Sequence, residues 1–253
     1  MLDQFLSLNI YGFFLIFARV GMALSIMPGY SATYVPVQMR LGLALAISFA
    51  IAPALIGTLP TRPPSVAGLS ILIIGEMLIG AFIGTIAAII IGALQTAGTI
   101  IAYVASMANA LIQDPIAEQQ SSTIAGFLLV TGIVVVFVAD MHHLMLRAIF
   151  DSYTLMVPGA PLPAGDLAQT MGRQVADSFT LGLRLSAPFV IVGLTYYIGL
   201  GLLGRLMPQL QVFFFGLPFQ IGVQIWVLAI TVTGIMMAFM QRFQDAYQGF
   251  LLP

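Results

Sequence analysis

The sequence has no cysteine and no lysine. Without cysteine there is no disulfide framework, thiolate metal site or thiol chemistry. Charge of either sign is scarce. Eight arginines and nine acidic residues make up 7% of 253 residues, whereas soluble domains carry about 25%. A water-soluble globule of this size could not cover itself with so little charge without exposing large apolar patches. A soluble enzyme is thereby excluded. The arginines are dispersed singly and the net charge is −1, so no basic face for nucleic acid is present. Hydrolase signals are missing too. Gly29-Tyr30-Ser31-Ala32 lacks the second glycine of a nucleophile elbow, no HExxH occurs, and no pair of intramembrane aspartates exists.

What the chain has in abundance is apolar length: 60% of it is hydrophobic. Six runs stand out: Phe5–Met27, Leu41–Leu59, Val66–Val104, Ile124–Ala139, Leu185–Leu203 and Val212–Met240. A membrane-spanning helix needs about 20 such residues. The pattern predicts an all-α, polytopic membrane protein of about six hydrophobic helical segments, organised as one domain over residues 1–253. A strand barrel would show alternating segments of about ten residues, which these runs do not. The first run has no cationic leader and no small-residue cleavage site, which predicts a retained span. The third run holds no proline or turn cluster, so one helix longer than a bilayer competes with two spans. Pro53 is expected to kink or end the second run. With both termini cytoplasmic and the third run counted once, Arg62, Arg147, Arg173, Arg184 and Arg242 face Arg40 and Arg205 across the membrane, as the positive-inside rule favours.

Several polar residues sit where apolar ones belong. Glu76 lies inside the third run, where a carboxylate costs several kcal/mol unless neutralised or paired. Positions 76, 80, 84, 88 and 92 read Glu76, Gly80, Gly84, Ala88 and Gly92, a helical stripe of small residues that predicts close helix packing. Arg19, inside the first run, could pair with Glu76, bind a carbonyl at a helix end or snorkel to the interface. His142 and His143 follow Asp140; adjacent helical positions diverge by about 100°, so they are expected to be poor co-ligands and no metal site is expected. Leu167, Met171, Val175, Phe179 and Leu183 recur every four residues, predicting an amphipathic helix N-capped by Asp166, with an Arg173–Asp177 pair, lying on the membrane or a partner. Met107–Gln120 mixes Met107, Leu111, Ile112 and Ile116 with Asp114, Glu118 and amides, has no cation, and is broken by Asp114-Pro115. It reads either as a surface loop or as a loop packed in a protein cavity, since irregular backbone at membrane depth must be shielded from lipid.

Taken in order, these stretches resemble the FliR family of flagellar export-gate proteins and its SctT counterparts in virulence type III secretion. The likeness runs through Arg19-Val20-Gly21, Pro28, Val35-Pro36, Arg40, Gly75-Glu76 with Gly80 and Gly84, Gln95, Gly98, Asp114-Pro115, His143 and Pro158-Gly159. Its most specific part is Gly201-Leu202-Leu203-Gly204-Arg205 followed by Pro208-Gln209-Leu210-Gln211-Val212-Phe213 and Gly216-Leu217-Pro218. Departures are Gln211, where asparagine is frequent, and His142, where glycine is frequent. The resemblance implies helical hairpins within a hetero-oligomeric export gate, with FliP-type and FliQ-type subunits and a FlhB-type protein as partners. It implies the bacterial inner membrane and flagellar basal body as location, and unfolded exported flagellar proteins as cargo. It implies no catalysis and no cofactor. Residues 106–123, with Met107, Leu111, Ile112, Asp114, Pro115 and Ile116, would correspond to a pore-closing loop. The alternatives are a virulence export-gate subunit and a proton-coupled secondary transporter built on Glu76. A transporter should place several ionisable groups at mid-membrane in two matching halves, and no such repeat is evident.

Overall fold

Helix dominates because long apolar runs can satisfy their own backbone groups only by coiling or by closing into barrels. The computed structural model describes residues 2–107, 111–113, 120–207 and 212–250. In chain order the helices are α1 (Leu2–Ile26), α2 (Val37–Leu55), α3 (Val66–Val104), α4 (Thr123–Val138), α5 (Met141–Leu155), α6 (Ala164–Leu206) and α7 (Val212–Gln248). A 3-10 turn, Ile56–Thr58, follows α2. Two three-residue strands, β1 (Leu111–Gln113) and β2 (Gln120–Ser122), pair antiparallel between α3 and α4.

Four described helices are long and apolar enough to cross a membrane: α2, α3, α6 and the Gly216–Gln248 part of α7. The pair α4 and α5 makes a fifth if its bent halves count as one, and Ile10–Ile26 is a shorter apolar helix. The expectation of about six hydrophobic segments therefore resolves into four or five candidate spans plus one short helix. The third run is one uninterrupted 39-residue helix. Helix α2 ends at Leu55, two residues past Pro53 and short of the end of its apolar run at Leu59, whereas Pro188 lies inside α6 without ending it. The amphipathic segment and the fifth run are one 43-residue helix, α6, which begins at Ala164, so Asp166 sits in its first turn rather than capping it.

The described chain forms two compact units. Unit 1 comprises Met1–Ile89, Phe137–Gln174 and Phe243–Pro253; unit 2 comprises Ile90–Val136 and Val175–Arg242. In unit 1, α1 and α2 pack together across the ten-residue turn 27–36. Arg40 holds that turn by donating to the carbonyls of Tyr30 at 3.0 Å and Ala32 at 3.2 Å. Leu15, Ile16, Val20, Ala23 and Leu24 of α1 and Ile83, Ile86 and Ala87 of α3 are fully buried there. In unit 2, helices approach at glycines: a Cβ on Gly98 would overlap Ala125, one on Gly132 would meet Leu94, and one on Gly193 would meet Val104. Val175, Phe179 and Leu183 of α6 remain exposed, as do Trp226 and Ile230 of α7.

Candidate functional site

Two constellations gather the polar residues that the apolar runs otherwise exclude. The first lies in unit 1. Arg19 is completely buried, and Glu76 is 2% exposed. Arg19 Nε donates to Glu76 Oε2 at 2.7 Å and Nη2 donates to Oε1 at 3.1 Å, a bidentate pair. Nη1 donates to Ser152 Oγ at 3.0 Å, and Nη2 also donates to the Met156 carbonyl at 3.0 Å. The guanidinium carbon lies 3.9 Å from the ring centroid of Tyr153. Of the three roles open to Arg19 the fold uses two: it pairs with Glu76, and it binds the Met156 carbonyl at the end of α5. One cation thus joins α1, α3 and α5. Its planar fork suits this, because it can bind two carboxylate oxygens while stacking on an aromatic face.

The glycine stripe brings the backbones close enough for that pairing. A Cβ at Gly80 would overlap the carbonyl of Arg19 itself, and one at Gly84 would lie 2.7 Å from the Ala23 carbonyl oxygen and 3.0 Å from the Ile26 Cβ. Ala88 is half-buried, and a Cβ at Gly92 would meet nothing within 4 Å. The stripe is therefore a close α1–α3 contact at Glu76, Gly80 and Gly84, and it opens beyond them. The reason is geometric: each four-residue step advances about 40° round the helix, so Gly92 faces about 160° away from Glu76.

The second constellation, in unit 2, is the base of the segment between α3 and α4. Helix α3 ends in a Schellman cap: Met107 N–H donates to Ala102 O at 2.9 Å and Ser106 N–H to Tyr103 O at 3.2 Å. Ser106 takes the left-handed conformation, φ 59°, at the position where glycine is usual. Its Oγ is 2.8 Å from the Tyr197 hydroxyl. Buried Gln220 donates Nε2 to Val104 O at 2.6 Å, and buried Gln224 donates to Phe189 O at 3.2 Å. The Oε1 atoms of both glutamines are buried without a partner among the described residues. On the other side, Ser122 Oγ accepts from Ala125 N–H at 3.2 Å and caps α4.

Between these two caps the sequence expectation was an irregular loop. The structure places a hairpin stem there, Leu111 opposite Ser122, Ile112 opposite Ser121 and Gln113 opposite Gln120. Strand pairing gives the backbone groups partners that an irregular loop would lack. Met107 is half-buried at the stem's root. Asp114, Pro115 and Ile116 lie outside the described residues.

The expected divergence of His142 and His143 does not hold. Their ring centroids are 4.0 Å apart, and the ligand atoms of Asp140, His142 and His143 all lie within 4.8 Å of one another. The rings meet because the two side chains turn toward each other in the first turn of α5, which an argument from helix directions alone does not include. The expected Arg173–Asp177 pair is also displaced: Asp177 Oδ2 accepts from Arg242 Nη2 at 2.5 Å. The sequence did not single out Ser152, Tyr153 or Met156 as partners of Arg19. Gln220 and Gln224 were not singled out either, although two amides inside the apolar run Val212–Met240 were a signal available.

Comparison with known proteins agrees along the chain. A family model described as bacterial export proteins, family 1, matches residues 10–246. The flagellar biosynthetic protein FliR of Caulobacter vibrioides is 34% identical over 239 residues, 94% of this chain and 95% of the relative. The flagellar biosynthetic protein FliR of Escherichia coli is 32% identical over 232 residues, 90% of this chain and 86% of the relative. The Yop proteins translocation protein T of Yersinia pestis is 27% identical over 197 residues, 77% and 75% of the two chains.

Proposed function

This chain belongs to the bacterial export proteins of family 1, and from that membership we propose that it is a structural and gating subunit of the flagellar type III protein-export channel. It works as one functional domain of 253 residues, since α3, α6 and α7 each supply residues to both compact units. Its place is the bacterial inner membrane at the flagellar basal body. Its partners are FliP-type and FliQ-type subunits and a FlhB-type protein, and its cargo is unfolded flagellar protein. The role is mechanical and needs no chemistry from this subunit.

The observation that carries this reading is the near-complete, collinear match to flagellar relatives, 94% of this chain on 95% of the relative from Caulobacter vibrioides. The virulence translocation relative is matched at lower identity and over 77% of this chain, which makes a virulence export gate the second reading. A proton-coupled transporter is disfavoured by Glu76 itself. Both its carboxylate oxygens accept from Arg19 and it is 2% exposed, so it is held in a structural ion pair away from the surface.

Within that role, the segment 106–123 is the closing element. Its stem is rooted on two capped helix ends by neutral hydrogen bonds, which can open and re-form without stranding a charge. Met107, Leu111 and Ile112 are apolar residues, and apolar constrictions close pores by dewetting. The test is deletion of residues 114–119, leaving the paired strands and both caps in place. The expected result is a fully assembled gate, recovered with its small hydrophobic partners in mild detergent, in cells whose membrane leaks small ions. A tight membrane with an assembled gate would transfer closure to another ring of the channel. Failure of the intact chain to co-purify with those partners would overturn the export-gate reading itself.

A further inference from the structure

Asp140, His142 and His143 form a chemistry-bearing cluster that the export role does not use. It lies wholly within unit 1, where α5 begins. His143 Nδ1 is 3.6 Å from Asp140 Oδ1. That is too long for a hydrogen bond. It is close to the edge of a metal-centred polyhedron: ligands about 2.1 Å from a tetrahedral ion are about 3.4 Å from one another. The third ligand atom, from His142, falls with the other two inside a 4.8 Å span.

The ring of His142 is also held in place. It stacks on Phe137 at 5.1 Å with the planes 13° apart, and Phe137 packs edge-on to Tyr30 at 5.4 Å. Phe137 in turn occupies the space where a Cβ on Gly29 would stand, and Gly29 has φ +85°. His142 Nδ1 is buried and has no hydrogen-bond partner among the described residues. Ring support of this kind is what fixes a ligand's direction before an ion arrives. Asp140 and the ring of His143 are exposed, so an ion can enter from solvent.

From this geometry we propose that Asp140, His142 and His143 bind a first-row divalent metal ion, with Zn2+ as the representative case. Two imidazoles and a carboxylate are borderline-soft donors that favour zinc-like ions over Mg2+ or Ca2+. Three protein ligands leave at least one coordination position for water or for a donor from another chain. An ion there ties Asp140, in the turn before α5, to the helix's first two positions after Met141.

The experiment uses the full chain purified in detergent through a tag free of histidine and stripped with chelator. Zn2+ is titrated by calorimetry, and Co2+ is titrated by visible absorption. One equivalent of Zn2+ is expected per chain, with ligand-field bands on Co2+ addition that Zn2+ abolishes. Asp140→Asn preserves the left-handed backbone, since asparagine tolerates it, and His143→Gln changes an exposed side chain. Each is expected to weaken Zn2+ binding at least tenfold, with an unchanged far-UV circular dichroism spectrum. Absence of saturable binding or of Co2+ bands in the unaltered chain overturns the proposal, as does equal affinity in the chain and both variants.

Discussion

The α1–α3–α5 junction around Arg19 and the stem base around Ser106 solve opposite problems with opposite chemistry. At the junction, full charges are buried away from water and bound at several points. At the stem base, neutral groups meet singly: an amide on a carbonyl, a hydroxyl on a phenol, a serine on a backbone N–H. Removing one partner of a buried ion pair costs about 3–5 kcal/mol, because the other charge is left stranded. A neutral hydrogen bond is worth about 0.5–1.5 kcal/mol net. The first arrangement is therefore built to stay made, and the second can be broken and remade within the reach of a binding event.

The sharpest way to break this comparison is to strand the charge. Arg19→Leu leaves Glu76 buried and unpaired, and a loss of about 3–5 kcal/mol is expected, read as disappearance of the chain from the membrane fraction. Glu76→Leu should behave alike. Glu76→Gln keeps hydrogen-bonding capacity and should retain more protein and more motility than Glu76→Leu. Equal failure of Gln and Leu at similar protein abundance would mean that Glu76 carries protons rather than structure.

Gly80→Leu comes next. Its side chain would push into the carbonyl of Arg19, and overpacking costs about 1–3 kcal/mol. Recovery of complex in mild detergent should fall steeply, while Gly92→Leu, with open space around it, should assemble normally. A normal yield from Gly80→Leu would show that α1 and α3 can part without consequence.

The difference between these two glycines marks how far sequence could lead. Glu76, Gly80 and Gly84 were legible because a charge and repeated small residues in an apolar helix each demand a reason. Where the stripe ends was not legible, because that depends on where α1 stops facing α3. The partner of Glu76 lies 57 positions away, and Ser152 lies 133 positions from Arg19, so nothing local could choose among the roles open to the arginine. The length of α6 was hidden by its change of composition at Leu185, where an amphipathic stretch passes into an apolar run that also holds Pro188. Here the helix simply continues through it. The histidine cluster was hidden by treating side chains as directions from an ideal axis, when the rotamers of neighbouring rings can bring them together.

At the stem base the expected effects are smaller. Gln220→Leu removes the 2.6 Å bond to Val104 O and relieves the buried, unpartnered Oε1. A stability change under about 1.5 kcal/mol is expected, with the phenotype appearing as ion leak rather than loss of complex. Tyr197→Phe removes only the contact with Ser106 Oγ and should shift stability by about 0.5–1 kcal/mol. A collapse of assembly in either variant would erase the distinction between the two regions.

The two caps that flank the hairpin have a consequence for how this protein can evolve. Helix α3 is terminated by bonds among residues 102, 103, 106 and 107, and α4 is started by Ser122. Neither termination draws on the six residues at positions 114–119 between the strands. Both caps are thus complete within described residues on either side of the strands, in the way a handle is finished before a bit is fitted to it. Lengthening positions 114–119, recharging them or replacing their proline removes none of the donors or acceptors of those two caps. Sequence between the strands can therefore drift in one lineage and another while the two caps are inherited whole.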